Sequence, residues 1–403
     1  MHCTRMIDDD IIWVGADVDR PVLFEAAYTA PRGMSYNSYL ILDEKTALID
    51  TVDRAVTDVF LENLEHSLAG RRLDYLIVQH VEPDHSATLI DVCLRHPECT
   101  VVCTARAKDM LEAFKGRELS ALTVGEGDTL ALGRHTLSFI MAPMVHWPEV
   151  MVSYDSRTST LFSADAFGSF GALGGALFYD EVAADSPWLG EARRYYANIV
   201  GKYGASTACL LSKLSSLEIK RICPLHGFVL RDDIAYFVNK YLLWSAYEPE
   251  EAGVVIAYAS VYGNTERVAR ALAGALTLRG VGCVLYDVSV TEPSYILSDI
   301  FRYSHAVFAS VTYNGGAFEK MTSLLHSLVS HGVRNRRISL IENGSWAPAA
   351  ARGMRKMLEG LSGIAFISED VSFYSALPSD RYTEIEGLAD KIASDIEDYE
   401  HYI

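Results

Sequence analysis

Between positions 80 and 85 the chain reads His80-Val81-Glu82-Pro83-Asp84-His85, four metal-ligating side chains directly after the apolar run Tyr75-Leu-Ile-Val-Gln79. A strand ending there delivers all four to one cleft, because a loop frees them from strand alternation, and Pro83 stiffens that loop. Three further apolar runs end on a ligand type: Met141-Ala-Pro-Met-Val-His146, Leu161-Phe-Ser-Ala-Asp165 and Ile222-Cys-Pro-Leu-His226. Any one of these alone reads more simply as a satisfied core residue. Together with the cluster they offer four imidazoles (His80, His85, His146, His226) and three carboxylates (Glu82, Asp84, Asp165). That exceeds what one tetrahedral ion needs, so the set predicts two metal ions with a carboxylate as bridge.

A second constellation lies beyond residue 250. An apolar strand over 254–259 runs into Ser260-Val261-Tyr262-Gly263-Asn264-Thr265 and then a helix. Such a loop surrounds an anion with backbone N–H groups and hydroxyls at the helix N-terminus. It contains no Lys, so it suits a monophosphate held by neutral donors and differs from a P-loop. Two more loops follow central strands: Val311-Thr312-Tyr313-Asn314-Gly315-Gly316 and Glu342-Asn343-Gly344-Ser345-Trp346-Ala347-Pro348. Their glycines permit close backbone approach, and Tyr313 and Trp346 are aromatic covers for a ring system. With only one phosphate loop visible, these features point to FMN. For Trp346 the plain alternative is a lid on the core.

Two different scaffolds are needed to position these sets. The first half alternates short β-branched runs (38–42, 46–51, 75–79, 100–103, 136–141, 150–154, 160–163) with irregularly placed helices at 55–68, 105–114, 191–217 and 232–247. This predicts an α+β sandwich of two sheets flanked by helices. The acidic, Pro-containing stretch at 247–252 marks the boundary. Beyond it strands at 254–259, 281–288, 306–310, 338–341 and 364–368 alternate with helices at 265–278, 318–329, 348–361 and 383–398. That rhythm predicts an α/β, doubly wound parallel sheet with ligands at its carboxyl edge.

The chain's 403 residues fit two domains, and a net charge of −18 disfavours nucleic acid and anionic membranes as partners. The acid is unevenly spread, with a net −13 over residues 1–250 and −5 over 251–403. Seven cysteines without a framework of spacings fit reduced thiols in a cytoplasm, and Cys99 and Cys103 flank a buried strand rather than forming a site. The N-terminus has the pattern of neither a signal nor a transit peptide. The most apolar stretch, 161–178, is interrupted by Asp165 and several glycines, so no membrane span is expected.

The metal set resembles the metallo-β-lactamase superfamily, whose hydrolytic members carry His-x-His-x-Asp-His; here Glu82 stands at the second His. Replacing a neutral nitrogen by an anionic oxygen hardens the site and favours iron and ferric states, so redox chemistry is expected over hydrolysis. With YASVYGNTE, TYNGG and ENGSWAP following in order, the whole chain resembles the flavodiiron proteins, the A-type flavoproteins of the rubredoxin:oxygen oxidoreductase family. The resemblance implies a metallo-β-lactamase-like αββα diiron domain over 1–248, then a flavodoxin-like FMN domain over 253–403. It implies that His80, Glu82 and His146 hold one iron, Asp84, His85 and His226 the other, and that Asp165 bridges them. Dioxygen would be reduced to water, nitric oxide to nitrous oxide, or both, with electrons relayed through FMN.

Further expectations follow from the same resemblance. Tyr195 resembles a family tyrosine that lines the site and donates a hydrogen bond to bound oxygen species; a packed helix residue is the plain alternative. Members form head-to-tail homodimers or dimers of such dimers, placing the flavin of one chain beside the iron pair of its partner. Phe24-Glu25 stand where some members have a histidine, so that donor is expected to be missing, and Val311 stands where Pro is common. No CxxC pair follows the second domain, which implies a separate donor, a rubredoxin or a reduced deazaflavin coenzyme. An acidic rubredoxin needs a local basic patch, for which Arg334, Arg336 and Arg337 are the candidates, a solvated turn being the alternative. The rival from another class is a dinuclear zinc hydrolase fused to a flavodoxin-like module. A third reading is an electron carrier with a vestigial metal site.

Overall fold

Two sheets organise the first unit of the computed structural model, which describes residues 2–116, 118–183 and 187–400. Contacts divide the chain into Met1–Leu242 and Leu243–Ile403, a division that falls within the helix Ile234–Ser245. One sheet of the first unit has the order Arg5–Asp8, Ile11–Trp13, Tyr39–Leu42, Thr46–Ile49, Tyr75–Ile77, Thr100–Cys103, Ala121–Thr123. Its pairing is antiparallel up to Thr46–Ile49 and parallel beyond. The other sheet runs Thr129–Ala131, Thr136–Met141, Met151–Asp155, Thr160–Phe162, Arg221–Cys223. Its last pair is parallel, with Leu161 opposite Ile222 and Phe162 opposite Cys223. Strands Thr46–Ile49, Met151–Asp155 and Thr160–Phe162 are buried along their whole length, as the apolar runs require.

The second unit is a parallel sheet in the order Cys283–Asp287, Glu251–Ala259, Tyr303–Tyr313, Arg337–Gly344, with Ala365–Phe366 and Val371–Tyr374 both on the far edge of Arg337–Gly344. The chain reverses direction of travel across the sheet at Glu251–Ala259, which opens a crevice outside the carboxyl ends of the central strands.

Several elements differ from the sequence reading. The expected helix over 191–217 is Trp188–Tyr195, a wide π-helical turn at Tyr196–Val200, a tight turn at Gly201–Tyr203, and Gly204–Leu214. Gly201 and Gly204 weaken a continuous helix, and the wide turn re-aims the side chains on either side of it. The fifth strand at 364–368 survives only as Ala365–Phe366; after Glu369-Asp370, whose Asp370 is drawn to Arg355, the chain re-enters the sheet as Val371–Tyr374. The helix Pro293–Arg302, with Pro at its first turn and buried Ile296, Leu297, Ile300 and Phe301, was not expected. Arg336 is buried, its guanidinium donating to the carbonyls of Ile300 (2.6 Å), Tyr247 (2.6 Å) and Phe301 (3.1 Å). Arg336 is thereby withdrawn from any basic docking face, while Arg334 stays exposed over the Tyr247 ring and Arg337 pairs with Asp395. Among the described residues, no helix is long and apolar enough to cross a membrane.

Candidate functional site

The seven candidate ligands of the first unit all follow the carboxyl ends of strands, directly or through one short turn. His80 lies just beyond Tyr75–Ile77, His146 beyond Thr136–Met141, and Asp165 and His226 beyond the parallel pair Thr160–Phe162 and Arg221–Cys223. That register sets Asp165 and His226 at one level, and the Leu225 N–H donates to the Ala164 carbonyl at 2.9 Å to hold the two loops together. The segment 80–85 is tighter than an open loop. Pro83 starts a one-turn helix, Pro83–Ser86, whose Ser86 hydroxyl donates to the Val81 carbonyl at 2.7 Å, while the Thr51 N–H and hydroxyl donate to the His85 carbonyl.

The structure brings all seven side chains together as two groups, His80–Glu82–His146–Asp165 and Asp84–His85–His226, with the ligand atoms of each group within 4.8 Å of one another. Asp165 faces both. Its Oδ2 lies 3.3 Å from His80 Nε2 and 3.1 Å from His146 Nε2, and its Oδ1 lies 3.2 Å from His85 Nε2 and 3.9 Å from His226 Nε2. Glu82 Oε2 is 3.2 Å and 3.1 Å from His80 and His146; Asp84 Oδ2 is 3.4 Å and 3.2 Å from His85 and His226. Two donors bound to one ion at right angles, each by a bond of about 2.1 Å, stand about 3.0 Å apart, which is the spacing seen.

Hydrogen bonding does not account for the cluster. Both oxygens of Asp84, Oδ1 of Asp165 and the Nε2 atoms of His85, His146 and His226 are buried with no hydrogen-bond partner. A buried polar atom left unpaired costs about 1–3 kcal/mol, so this many at one point call for a common partner. The electrostatics call for positive charge. Burial alone would lower the imidazole of His146, yet the Asp165 and Glu82 carboxylates push it up to about 9. Burial would raise Glu82, yet His146 and His80 hold it down to about 2. A pair of hard cations satisfies both sets of groups at once, so the residues fit a dinuclear metal site.

Behind the ligands stand residues that the sequence reading did not single out. Glu149 Oε1 accepts from His80 Nδ1 at 2.8 Å and from the Val81 N–H at 3.1 Å, and both side chains are fully buried. The Ser35 carbonyl accepts from His226 Nδ1 at 2.7 Å, and Asn37 ties the Pro224 and Gly227 carbonyls with 2.8 Å bonds. Asp50 accepts from the N–H groups of Gln79 and His80. A metal-bound imidazole commonly needs an acceptor on its other nitrogen; Glu149 stands three residues after His146 in sequence, yet the ring it serves is that of His80, 69 residues away, so its position gave no local signal.

Tyr195 is completely buried, its ring centroid 5.6 Å from that of His226 and its hydroxyl without a hydrogen-bond partner. Burial first, then Asp165 and Asp84, raise its pKa well above the usual phenol value, so the hydroxyl keeps its proton. Gly168 makes room for it: a Cβ there would lie 3.1 Å from the Tyr195 ring and 3.0 Å from the Asp165 carbonyl. At the N-terminal position where a histidine was expected to be missing, Phe24 packs edge-on to His226 at 5.3 Å. Glu25 sits in the turn between Val22–Phe24 and Tyr28–Ala30, and with Phe24, Tyr36, Glu82 and Asp84 lines a cavity of about 420 Å³. Glu25 is exposed, yet partial desolvation in this cavity, then the field of Glu82, pushes its carboxyl up to about 7.

In the second unit the three loops meet at the carboxyl edge of the sheet. Gly263, at φ 88°, precedes the helix Asn264–Leu278, and its N–H donates to the Ser260 hydroxyl at 3.1 Å; Val261 and Tyr262 are exposed. Thr312 and Tyr313 pair with Ala317 and Gly316 across a two-residue turn, Asn314 and Gly315, both left-handed, as in a type I′ hairpin. Ala349 N–H donates to the Thr312 hydroxyl, and Asn343 Nδ2 to the Thr265 hydroxyl and the Ser375 carbonyl. Asn343 and Thr265 are thus buried ties between loops, whereas Tyr313 and Trp346 stand 51% and 86% exposed. Gly344 packs against Pro348 within its own loop, and Ser345 beside it is exposed. A Cβ at Gly263, Gly315 or Gly316 would meet nothing within 4 Å. Open space, N–H donors at a helix start and exposed aromatic rings suit a flavin mononucleotide. Tyr374, 59% exposed at the end of the strand beside Gly344, is a further aromatic here that the sequence reading placed outside the sheet.

Comparison with known proteins places these two sites in context. Residues 34–227 match the ODP family beta lactamase and residues 256–366 match flavodoxin. The chain is 32% identical over 362 residues to the anaerobic nitric oxide reductase flavorubredoxin of Klebsiella pneumoniae, spanning 88% of this chain and 74% of that one. It is 32% identical over 334 residues to the nitric oxide reductase of Moorella thermoacetica, spanning 82% and 83%. Among solved structures, rubredoxin oxygen:oxidoreductase from Desulfovibrio gigas superposes with a TM-score of 0.91 at 27% identity over 98% of each chain. The flavodiiron protein from Giardia intestinalis gives 0.90 at 25% identity over the same share.

Proposed function

The chain belongs to the flavodiiron protein family, whose two domains carry a non-haem diiron site and FMN, and on that premise we propose that it reduces nitric oxide to nitrous oxide, dioxygen to water, or both. The observation that most supports this reading is Asp165, one carboxylate with an oxygen turned to each imidazole group. Glu82, in the place where hydrolytic relatives of the fold carry His, supports iron over zinc and makes the fused zinc hydrolase the weaker reading.

When bound, the iron pair supplies electrons and open coordination positions for the gas, and FMN supplies the remaining electrons. The protein's own part is to hold, orient and exclude. His80, Glu82 and His146 would hold one iron, Asp84, His85 and His226 the other, with Asp165 between them. Glu149 and the Ser35 carbonyl hold the proton of His80 and His226 on Nδ1, leaving Nε2 free for metal. The Tyr195 hydroxyl, protonated and unpartnered, supplies a hydrogen-bond donor toward the gas position, and Phe24 and Phe170 keep water from its ring and from His226. In the second domain Ser260, Val261, Tyr262, Gly263, Asn264 and Thr265 would receive the phosphate, and the loops at 312–316 and 343–346 the ring. A separate rubredoxin or a reduced deazaflavin coenzyme as donor, and a head-to-tail homodimer as the working assembly, belong to the same proposal.

Protein from iron-replete cells is expected to hold two irons and one FMN per chain and to consume nitric oxide, dioxygen or both when each gas is supplied separately with one reductant, the ratio of the rates ranking the substrates. Zinc at two per chain with esterase activity would sink the redox reading. His146→Asn should retain FMN and lose gas reduction; flavin turnover without gas consumption in the wild type would instead favour a pure electron carrier.

A further inference from the structure

The two halves of the metal cluster offer the same donors. Each has two imidazoles, one carboxylate of its own and one oxygen of Asp165. On ligand type alone, two irons held there are equivalent. Behind the imidazoles they are not. His80 Nδ1 donates to a carboxylate, Glu149, at 2.8 Å, whereas His226 Nδ1 donates to a neutral carbonyl, that of Ser35, at 2.7 Å, and His85 Nδ1 has no hydrogen-bond partner. A carboxylate places a full charge behind the ring where a carbonyl places only a dipole, and neither His80 nor Glu149 has any side-chain exposure through which water could screen it. Glu149 Oε2 has no hydrogen-bond partner, and Oε1 takes one further bond, from the Val81 N–H at 3.1 Å, so His80 is the one ring that this carboxylate binds.

Resting on the diiron reading, we propose that Glu149 is a positioning residue that makes His80 more electron-donating than His226 or His85, so that the iron held by His80, Glu82 and His146 is the first of the pair to be oxidised. A competing buried carboxyl is Asp50. Its hydrogen bonds go to the backbone N–H groups of Gln79 (2.8 Å) and His80 (3.3 Å) and to no ring nitrogen, so it acts on His85 and His80 only through space, without the direct bond that Glu149 makes to a ring.

The test uses the full chain loaded with iron and FMN, as wild type, Glu149→Gln, Glu149→Ala and Asp50→Asn. Glu149→Gln keeps an acceptor for His80 and removes only the charge. It is expected to fold and load two irons, to shift the first-oxidation equilibrium against a mediator of fixed potential about tenfold toward the all-ferrous pair, and to alter the ferric component of the mixed-valent Mössbauer spectrum while leaving the ferrous component unchanged. Glu149→Ala, which removes the acceptor as well, is expected to lower iron affinity at that half-site by about 10–100-fold. The proposal is overturned if Glu149→Gln leaves the equilibrium and the ferric spectrum as in wild type, if it alters the ferrous component instead, or if Asp50→Asn produces the shift. Failure of the wild type to take up two irons would overturn the diiron reading itself, which distinguishes the two.

Discussion

At Tyr195 stability and function are expected to pull apart. Its hydroxyl is buried without a partner beside the carboxylates of the cluster, and an unpaired buried hydroxyl costs about 1–3 kcal/mol. Tyr195→Phe should therefore raise the thermal midpoint of the metal-free protein while slowing gas turnover of the loaded one; a fall in both would mark a packing residue. The metal-free cluster should also imprint itself on the pH dependence of stability. Glu82, near 4.5 when unfolded and held at about 2 when folded, contributes stability that is complete above pH 4.5 and lost as pH falls toward 2. His146, at 6.5 unfolded and about 9 folded, contributes stability complete below 6.5 and lost as pH rises through 9. Chelated protein should thus be most stable between these limits, near pH 4.5–6.5, as read by thermal denaturation across pH. Iron takes the place of the protons, so loading should flatten the alkaline fall.

Arg336 shows how an element can depend on a side chain that sequence assigns to the surface. Its guanidinium closes off the carbonyls of Ile300 and Phe301, at the carboxyl end of the helix Pro293–Arg302, and that of Tyr247. Hydrogen bonds from a charged donor contribute about 1.5–3 kcal/mol each when they must be left unmade, so Arg336→Ala should destabilise the flavin domain by at least about 2 kcal/mol in denaturant unfolding. An unchanged midpoint would return Arg336 to the surface. What sequence revealed, and what it did not, follows the same division. The ligands were legible because four of them fall within 80–85 and the rest end apolar runs; the flavin loops were legible because each sits between a strand and a helix. Glu149, Ser35, Asn37 and Asp50 were not, since nothing local marks a polar residue whose partner lies far along the chain, as Asn37 and Gly227 do. The break in 191–217 depends on packing around a wide turn, and the helix Pro293–Arg302 was missed although its Pro and its apolar spacing were both present.

Across the whole molecule, acid dominates, at a net −18 with −13 of it in residues 1–250. Part of that charge is internal: Glu82, Asp84, Asp165 and Glu149 face the metal site and are balanced there. The remainder still opposes an acidic donor, and of the arginines at 334, 336 and 337 one is buried and one is paired with Asp395, which leaves Arg334 as the one exposed without an acid paired to it among the described residues. Reduction by an acidic rubredoxin should therefore speed up as ionic strength rises, as like charges are screened; stopped-flow rates that fall with salt would point to a local basic face. The parallel pairing of Phe162 with Cys223 has a wider bearing. It acts as a ruler: one residue added or lost before Asp165 slides its carboxylate by about 3.3 Å, more than the length of a metal–ligand bond, about 2.1 Å. The chemistry around the iron pair can be retuned one side chain at a time, whereas a residue inserted in either loop that delivers Asp165 or His226 is expected to cost iron binding, as read by iron content of the insertion variant.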